Sequence, residues 1–365
     1  MKRFFALLLA LVLMLSFAAC KAPKTDPTTP TDPKPTDPTS TESKPTEPPI
    51  DNTLVEYYLK KANEVKVTDT HVTFTDDSGR GEISIAKNPK NAAILYPSFT
   101  CLWYETGATA PLIIGGSSGI ELYNEQIGRD ITKDTGVTVV AKSSSGSSWD
   151  VEAIIAYKPD LIVCSMGMKG YSTIGNAAEA ANIPVIAIQY DHVQDYLKWF
   201  KVFCNINGHP EAWDAVANAT AEKIIDIVSK VPENVTVPKV AILGIVSGKL
   251  RAYGAEAAAG TILKELGGVN VFDDGSNSFE SVDIDLEQLY AKNPDIILIN
   301  QRGEKGATEA ELMGIVGSNA VWKSLPAVKK GITYLDKGLF HNKPNHRYEE
   351  SYQTMAKILY PNTFK

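Results

Sequence analysis

The chain has 365 residues, 44% of them hydrophobic, which is enough apolar material for two cores of ordinary size. Its formal net charge is −7 and its pI about 5.4, which argues against a nucleic-acid binder, whose footprint would be basic.

Residues 1–19 read as a secretion signal: Lys2 and Arg3 form a short basic start, and FFALLLALVLMLSF is the apolar run that follows. Phe17-Ala18-Ala19-Cys20 then resembles the lipobox of bacterial lipoproteins, which implies that Cys20 carries lipid. Cleavage before Cys20 removes two positive charges, Lys2 and Arg3, and takes the net charge from −7 to −9. Residues 20–50 follow as a lipid-anchored tether. From Lys21 onward they are almost entirely Pro, Thr, Asp, Lys, Ser and Glu, a composition that cannot bury a core and stays extended. At ~3.1 Å per residue, thirty such residues reach roughly 90 Å at most, a length suited to holding a domain out from a membrane beneath a thick cell wall.

A first α/β lobe is expected over 51–192. Val72–Ile85 alternates apolar and polar residues around Asp77-Ser78-Gly79, a hairpin signal. Buried strands follow at Ala92–Tyr96, Leu112–Ile114, Val137–Ala141 and Ile183–Ile188, with a helix carrying Leu102 and Trp103 after the first. Over 193–235 the strand signals stop. Val193, Tyr196, Leu197 and Phe200 recur at helical spacing, as do Trp213, Val216, Thr220, Ile224 and Val228 beyond Gly208-His209-Pro210, so a long helical connector is predicted. A second α/β lobe is expected over 236–365. It opens with a strand at Val240–Ile245 that leaves through Ser247–Tyr253, then a helix around Ala257–Leu266 ending at Gly267-Gly268. A helix at Glu309–Val316, a strand at Gly331–Leu335 and a terminal helix over Tyr348–Leu359 complete it. The alternation implies two Rossmann-like lobes with mainly parallel sheets joined by one long connecting helix.

The lobes share a repeat. DVEAIIAYKPDLIV at 150–163 and DLEQLYAKNPDIIL at 285–298 are identical at six of fourteen positions, at an offset of 135 residues. Each begins with an acidic pair suited to a helix N-terminus, Asp150 with Glu152 and Asp285 with Glu287. Each then ends its helix before a Pro-Asp and enters a buried strand.

Cys101, Cys164 and Cys204 are an odd set in an exported chain, read as small buried hydrophobes, with no CxxC. The five His residues (71, 192, 209, 341 and 346) show no metal-ligand spacing, and no metal site or cofactor is expected. The Gly/Ser-rich turns at 115–119 and 143–148 could cradle an anion, but neither precedes the Lys-Ser/Thr of a P-loop. With no GxSxG or HExxH either, an enzyme has no residues to stand on.

Taken in order, KPDLIV, GTILKELGGVN, NPDIILI and the C-terminal WKSLPAVKKG…LFHNKPNHRYEESYQTMAKILYP resemble the substrate-binding lipoproteins of ABC importers. Within them the chain is similar, over roughly residues 65–361, to the class that binds iron–siderophore complexes, haem and cobalamin. The resemblance implies a monomeric extracellular receptor, lipid-anchored at the cell membrane, that captures an iron complex between its lobes and delivers it to an ABC permease dimer. It further implies that Glu152 and Glu287 dock into Arg-lined pockets on that permease. Charge-assisted carboxylate–Arg pairs suit such orientation. The alternatives are a cobalamin or corrinoid receptor of the same class and a ligand-sensing surface lipoprotein without transport.

Ligands of open α/β sheets bind beyond the C-terminal ends of the strands, and here two such edges would face each other. The residues just after strands are therefore the candidates. Lys169, Arg251 and Arg302 could neutralise an anionic ligand. Phe99, Trp149, Tyr190 and Tyr253 could offer flat surfaces to an aromatic or macrocyclic body. His341 or Tyr190 could serve as an axial ligand to haem iron. Pro97, Ser98, Ser117, Ser118, Met168, Asp191, Lys249, Asn277, Phe279 and Gln301 occupy similar positions in sequence. A rigid connector is expected to permit only modest lobe closure.

Overall fold

The computed structural model describes residues 52–108, 112–114, 124, 127–128, 130–140, 149–275, 281–302, 305–341 and 343–365. The signal, Cys20, the Pro/Thr-rich segment, the Gly/Ser-rich turns at 115–119 and 143–148, Asn277 and Phe279 lie outside them.

The described chain enters through helix α1 (Asn52–Asn63), which buries Tyr58 and Ala62, one turn apart on one face. An antiparallel meander follows: β1 (Lys66–Val67), β2 (His71–Thr75) and β3 (Glu82–Ala86). Its β2–β3 turn is fastened to the outer edge of strand β8 (Val185–Ile188). Asp76 Oδ2 accepts from Ala187 N at 3.0 Å, Asp77 N donates to Ala187 O at 3.0 Å, and Asp77 Oδ2 accepts from Gln189 N at 2.7 Å. The turn thereby pairs groups that an open sheet edge would leave bare.

The first large sheet is wholly parallel, ordered β6 (Thr138–Val139), β5 (Leu112–Ile114), β4 (Ala92–Ile94), β7 (Leu161–Ser165), β8. Helices α2 (Pro97–Glu105), α3 (Val151–Ala156) and α4 (Tyr171–Ala180) connect its strands. Buried strands of this kind read as continuous apolar runs, which is why AAIL and LIVC were legible.

The connector is helical over α5 (Val193–Ile206) and again over α6 (Ala219–Ser229), the latter entered through a π-helical turn at Trp213–Asn218. Gly208, at φ +78°, turns the chain between them. Helix α5 is buried almost all round because α1, α2, β2 and the π-helical turn pack against it.

The second sheet runs β12 (Val282–Asp283), β10 (Lys249–Ala252), β9 (Lys239–Val246), β13 (Ile296–Asn300), β14 (Thr333–Leu335), with β11 (Val269–Asn270) parallel to the start of β9. Its helices are α7 (Ala258–Glu265), α8 (Leu286–Lys292), α9 (Lys305–Val316), α10 (Ala320–Ser324), α11 (Pro326–Lys330), α12 (Lys337–Phe340) and the terminal α13 (Tyr348–Leu359). Strands β9, β13 and β14 are parallel, whereas β10 runs against both β9 and β12. The segment expected to leave β9 as a loop is therefore the return arm of a hairpin. Ser247 (φ +52°) and Gly248 (φ +73°) form a two-residue turn with both φ positive, the geometry that matches strand twist.

Gly260 explains part of GTILKELGGVN. A Cβ there would lie 2.1 Å from Gly254 O, so only glycine lets α7 approach the 254–255 backbone. Its last residue, Glu265, accepts from the Tyr57 (3.0 Å), Tyr58 (2.8 Å) and Tyr352 hydroxyls, joining α1, α7 and α13 at one carboxylate. One apolar cluster runs from Phe74 and Trp199 through Tyr196 to Leu263 and Met355, so both sheets share a core.

Candidate ligand-binding and docking sites

Both copies of the repeat fold alike. Asp150 Oδ1 caps α3 by accepting from Ala153 N at 2.9 Å, and Asp285 Oδ1 caps α8 by accepting from Gln288 N at 2.7 Å. Lys158 (φ +53°) and Asn293 (φ +43°) turn the chain out of their helices. The Pro-Asp that follows has a structural duty. Asp160 Oδ2 accepts from Lys90 N (2.6 Å) and Asn91 N (3.0 Å) ahead of β4, while Asp295 Oδ2 accepts from Lys239 N (2.9 Å) at the start of β9. Glu152 and Glu287 each occupy the second position of their helix and are exposed, where the helix dipole favours a carboxylate.

On the cleft side, Tyr96 caps α2 in extended conformation and Pro97 begins the helix. Phe99 turns inward, 1% exposed, against the rings of Tyr96 (4.9 Å) and Tyr190 (6.3 Å, nearly parallel). Tyr190 is buried too, and its hydroxyl donates to Asn345 Oδ1 at 2.9 Å. Asn345 Nδ2 in turn donates to Ser98 O at 3.3 Å. Behind this wall His346 Nδ1 lies 3.0 Å from Glu105 Oε1, which raises the His346 pKa. Cys101 Sγ donates to the same oxygen at 3.1 Å.

Charged groups gather in front of the wall. Lys343 Nζ is 3.3 Å from Asp191 Oδ1 and 5.3 Å from the centroid of the Tyr190 ring. Burial, with the nearby charges of Arg302 and Lys343, pulls His341 down to about 4. Its imidazole is therefore neutral at physiological pH. Burial and the Asp191 carboxylate raise Tyr96.

The structure thus groups Tyr190, Asp191, Phe99, Arg302 and His341, and adds Tyr96, Lys343 and Asn345. The last two sit in the KPNH stretch, where a Lys-Pro-Asn turn between α12 and α13 was the available signal. Lys169 is exposed in the β7–α4 loop. Trp149 is 8% exposed and packs with Ala93, Ile162 and Cys164 in a separate apolar cluster. Arg251 and Tyr253 do not lie in a loop beyond the end of β9 as expected, since β10 carries the chain back and Tyr253 comes directly after it. Arg251 lies within β10, its Nε 3.0 Å from Asp283 Oδ1 on β12, and Tyr253 N donates to Ile242 O well back along β9. The Ser247-Gly248 turn is the reason, because it sends the chain back along the sheet. Gln301 does follow β13, and its Nε2 donates to Leu335 O at 2.5 Å.

Among the described residues no group of three or more His, Cys, Asp or Glu could hold a metal ion, and no helix is long and apolar enough to cross a membrane.

Residues 93–338 match the family described as periplasmic binding protein. The chain belongs to that family. It is 24% identical over 284 residues to YhfQ of Bacillus subtilis, which carries the name of an ABC transporter substrate-binding lipoprotein; the match covers 75% of this chain and 82% of YhfQ. Among solved structures it is similar to the catecholate-siderophore binding protein VctP of Vibrio cholerae, with TM-score 0.61 and 17% identity over 78% of this chain and 99% of VctP. It is also similar to IsdE of S. aureus complexed with heme, with TM-score 0.58 and 17% identity over 75% of this chain and 100% of IsdE. Shared fold at such identities leaves the ligand to be argued from this chain's own residues.

Proposed function

We propose that this protein is the receptor of an ABC importer, lipid-anchored through Cys20 on the extracellular face, that takes up an iron complex between its two lobes. The reading rests on one observation above the rest. Lys343 sits 5.3 Å from the Tyr190 ring and 3.3 Å from Asp191, which comes from the other lobe, and the charges of Arg302 and Lys343 act on the half-buried His341 beside them. Cations beside aromatic faces suit a flat or ring-rich anion such as a ferric catecholate or the propionates of haem. The names of VctP and IsdE point the same way. His341, neutral at physiological pH, has a lone pair to offer haem iron, so haem belongs beside the siderophores. Delivery then proceeds by docking Glu152 and Glu287 on the permease.

The test is a tryptophan-fluorescence titration of residues 51–365 with ferric catecholates, ferric hydroxamates, haem, cobalamin, zinc and manganese. Saturable quenching by one iron complex supports the reading. Response to a bare metal alone, or to cobalamin alone, overturns the iron-complex assignment.

A further inference from the structure

Next to Glu287 the surface is hollow. A depression of about 400 Å³ opens between the β9–β10 turn, the end of β12, the start of α8 and the end of α9. Leu250, Ile284, Leu286, Ile315 and Val316 line it. Ile315 is 38% exposed at its mouth, and Val282, next in chain to the lining residue Asp283, is 51% exposed on an edge strand. Five aliphatic residues lining one depression make a contiguous apolar patch, the kind of surface feature that marks a contact site.

The charges around the mouth are mostly committed. Asp283 is held by Lys249 at 2.9 Å and Arg251 at 3.0 Å, and Asp285 caps α8. Lys249, Asp283 and Asp285 stand among the aliphatic lining, and Glu287, the residue after Leu286, is a further exposed acid beside it. A mainly aliphatic hollow and a solvent-facing carboxylate one residue apart are complementary to one pattern: a cation next to an aliphatic or aromatic side chain on a single loop. The hollow depends on the antiparallel hairpin β9–β10 and on β12, and among the described strands of the first sheet, all parallel, neither has a counterpart.

We infer that this hollow is a socket for an apolar side chain of the membrane-embedded permease, adjoining the cation that engages Glu287. The inference rests on the docking reading above and adds to it a contact made by the second lobe. Burying an aliphatic group there excludes water from the neighbouring ion pair, which strengthens it.

Photocrosslinking in intact cells tests this without knowing the ligand. A benzophenone side chain is placed at Ile315, at Tyr290, exposed one turn along α8 from Glu287, or, as a control, at the exposed Glu64 of the full lipoprotein. The expected result is an adduct from Ile315 and from Tyr290 to the same polytopic membrane protein, with none from Glu64. The adduct peptide from Ile315 should carry an apolar residue beside Arg or Lys. Introducing Ile315→Asp should then lower the crosslinking yield from Tyr290 at least tenfold, with the thermal midpoint of the purified domain unchanged. Crosslinking from Tyr290 but not Ile315, or an undiminished yield with Ile315→Asp, overturns the socket and leaves docking standing. Absence of both adducts overturns docking itself, and an adduct from Ile315 to a soluble protein assigns the hollow to a different partner.

Discussion

The Tyr190 hydroxyl at the end of the first sheet donates to Asn345 Oδ1 at 2.9 Å, joining residues 155 positions apart in the chain. Asn345 is fully buried, and its amide continues the bridge to Ser98 O. The floor between the lobes is therefore hydrogen-bonded chain rather than open hinge. Removing one partner strands the other in an apolar setting, at a cost of about 1–3 kcal/mol. Tyr190→Phe should lower the unfolding free energy read from a urea titration by that amount, and Asn345→Ala by more, because it also removes the bond to Ser98 O and sets Ala at φ +53°. The double variant should cost less than the sum of the two, because the residues share one bond. Additive losses in the cycle would show that the bond contributes nothing beyond each side chain's own packing.

Two histidines near this floor should respond to pH in opposite directions. His346 is raised above 6.5 chiefly by its hydrogen bond to Glu105, so its contribution is fully present below about pH 6.5 and is lost as pH rises through the folded-state value. His341 is lowered to about 4, first by burial and then by Arg302 and Lys343, so its contribution is present above 6.5 and is lost as pH falls towards 4. Urea unfolding across pH 4–8.5 should show the gap between wild type and His346→Gln narrowing with rising pH. The gap to His341→Gln should narrow with falling pH.

Glu152→Lys and Glu287→Lys fall on exposed helix starts, where reversing a first-turn charge costs roughly 0.3–1 kcal/mol. The paired reversal should leave the fluorescence titration of the iron complex unchanged while uptake by cells falls more than tenfold. Uptake that survives the double reversal would remove the docking role from both residues.

Asp160→Ala and Asp295→Ala should each cost about 0.5–1.5 kcal/mol, with Asp160 the costlier because it accepts two backbone hydrogen bonds and Asp295 one. Belonging to different sheets, they should add. Gly260→Ala should cost more than either, ~2–4 kcal/mol, because its Cβ meets backbone and cannot be accommodated by a side-chain shift. Thermal midpoints of the three variants give this ranking directly.

The repeat was legible because its residues are tied to backbone duties: an acid to cap, a proline after the helix, an aspartate to fasten a neighbouring strand. The buried strands were legible because parallel sheets covered on both faces leave no alternation to misread. The β9–β10 hairpin was hidden because Ser247-Gly248 turns the chain in two residues and Lys249–Ala252 is too short to show a period. Helix α1 went unnoticed beside a Pro-rich stretch, although Tyr58 and Ala62 have helical spacing. Phe99 and Tyr190 look alike in sequence whether they face a ligand or a neighbouring ring, and here each faces the other. Lys343 gains its importance from Asp191 and Tyr190, which are remote in sequence and meet it only in the fold.

The Glu265 carboxylate that gathers three tyrosine hydroxyls also separates ancestry from autonomy. The stretch shared with the family begins at residue 93, yet two of those three donors, Tyr57 and Tyr58, come from α1, well before it. The third, Tyr352, lies beyond residue 338, where that stretch ends, so a protein trimmed to the inherited module would keep Glu265 and lose all three donors. What evolution passes on as a unit is, in this chain, shorter than what the solvent requires to be whole.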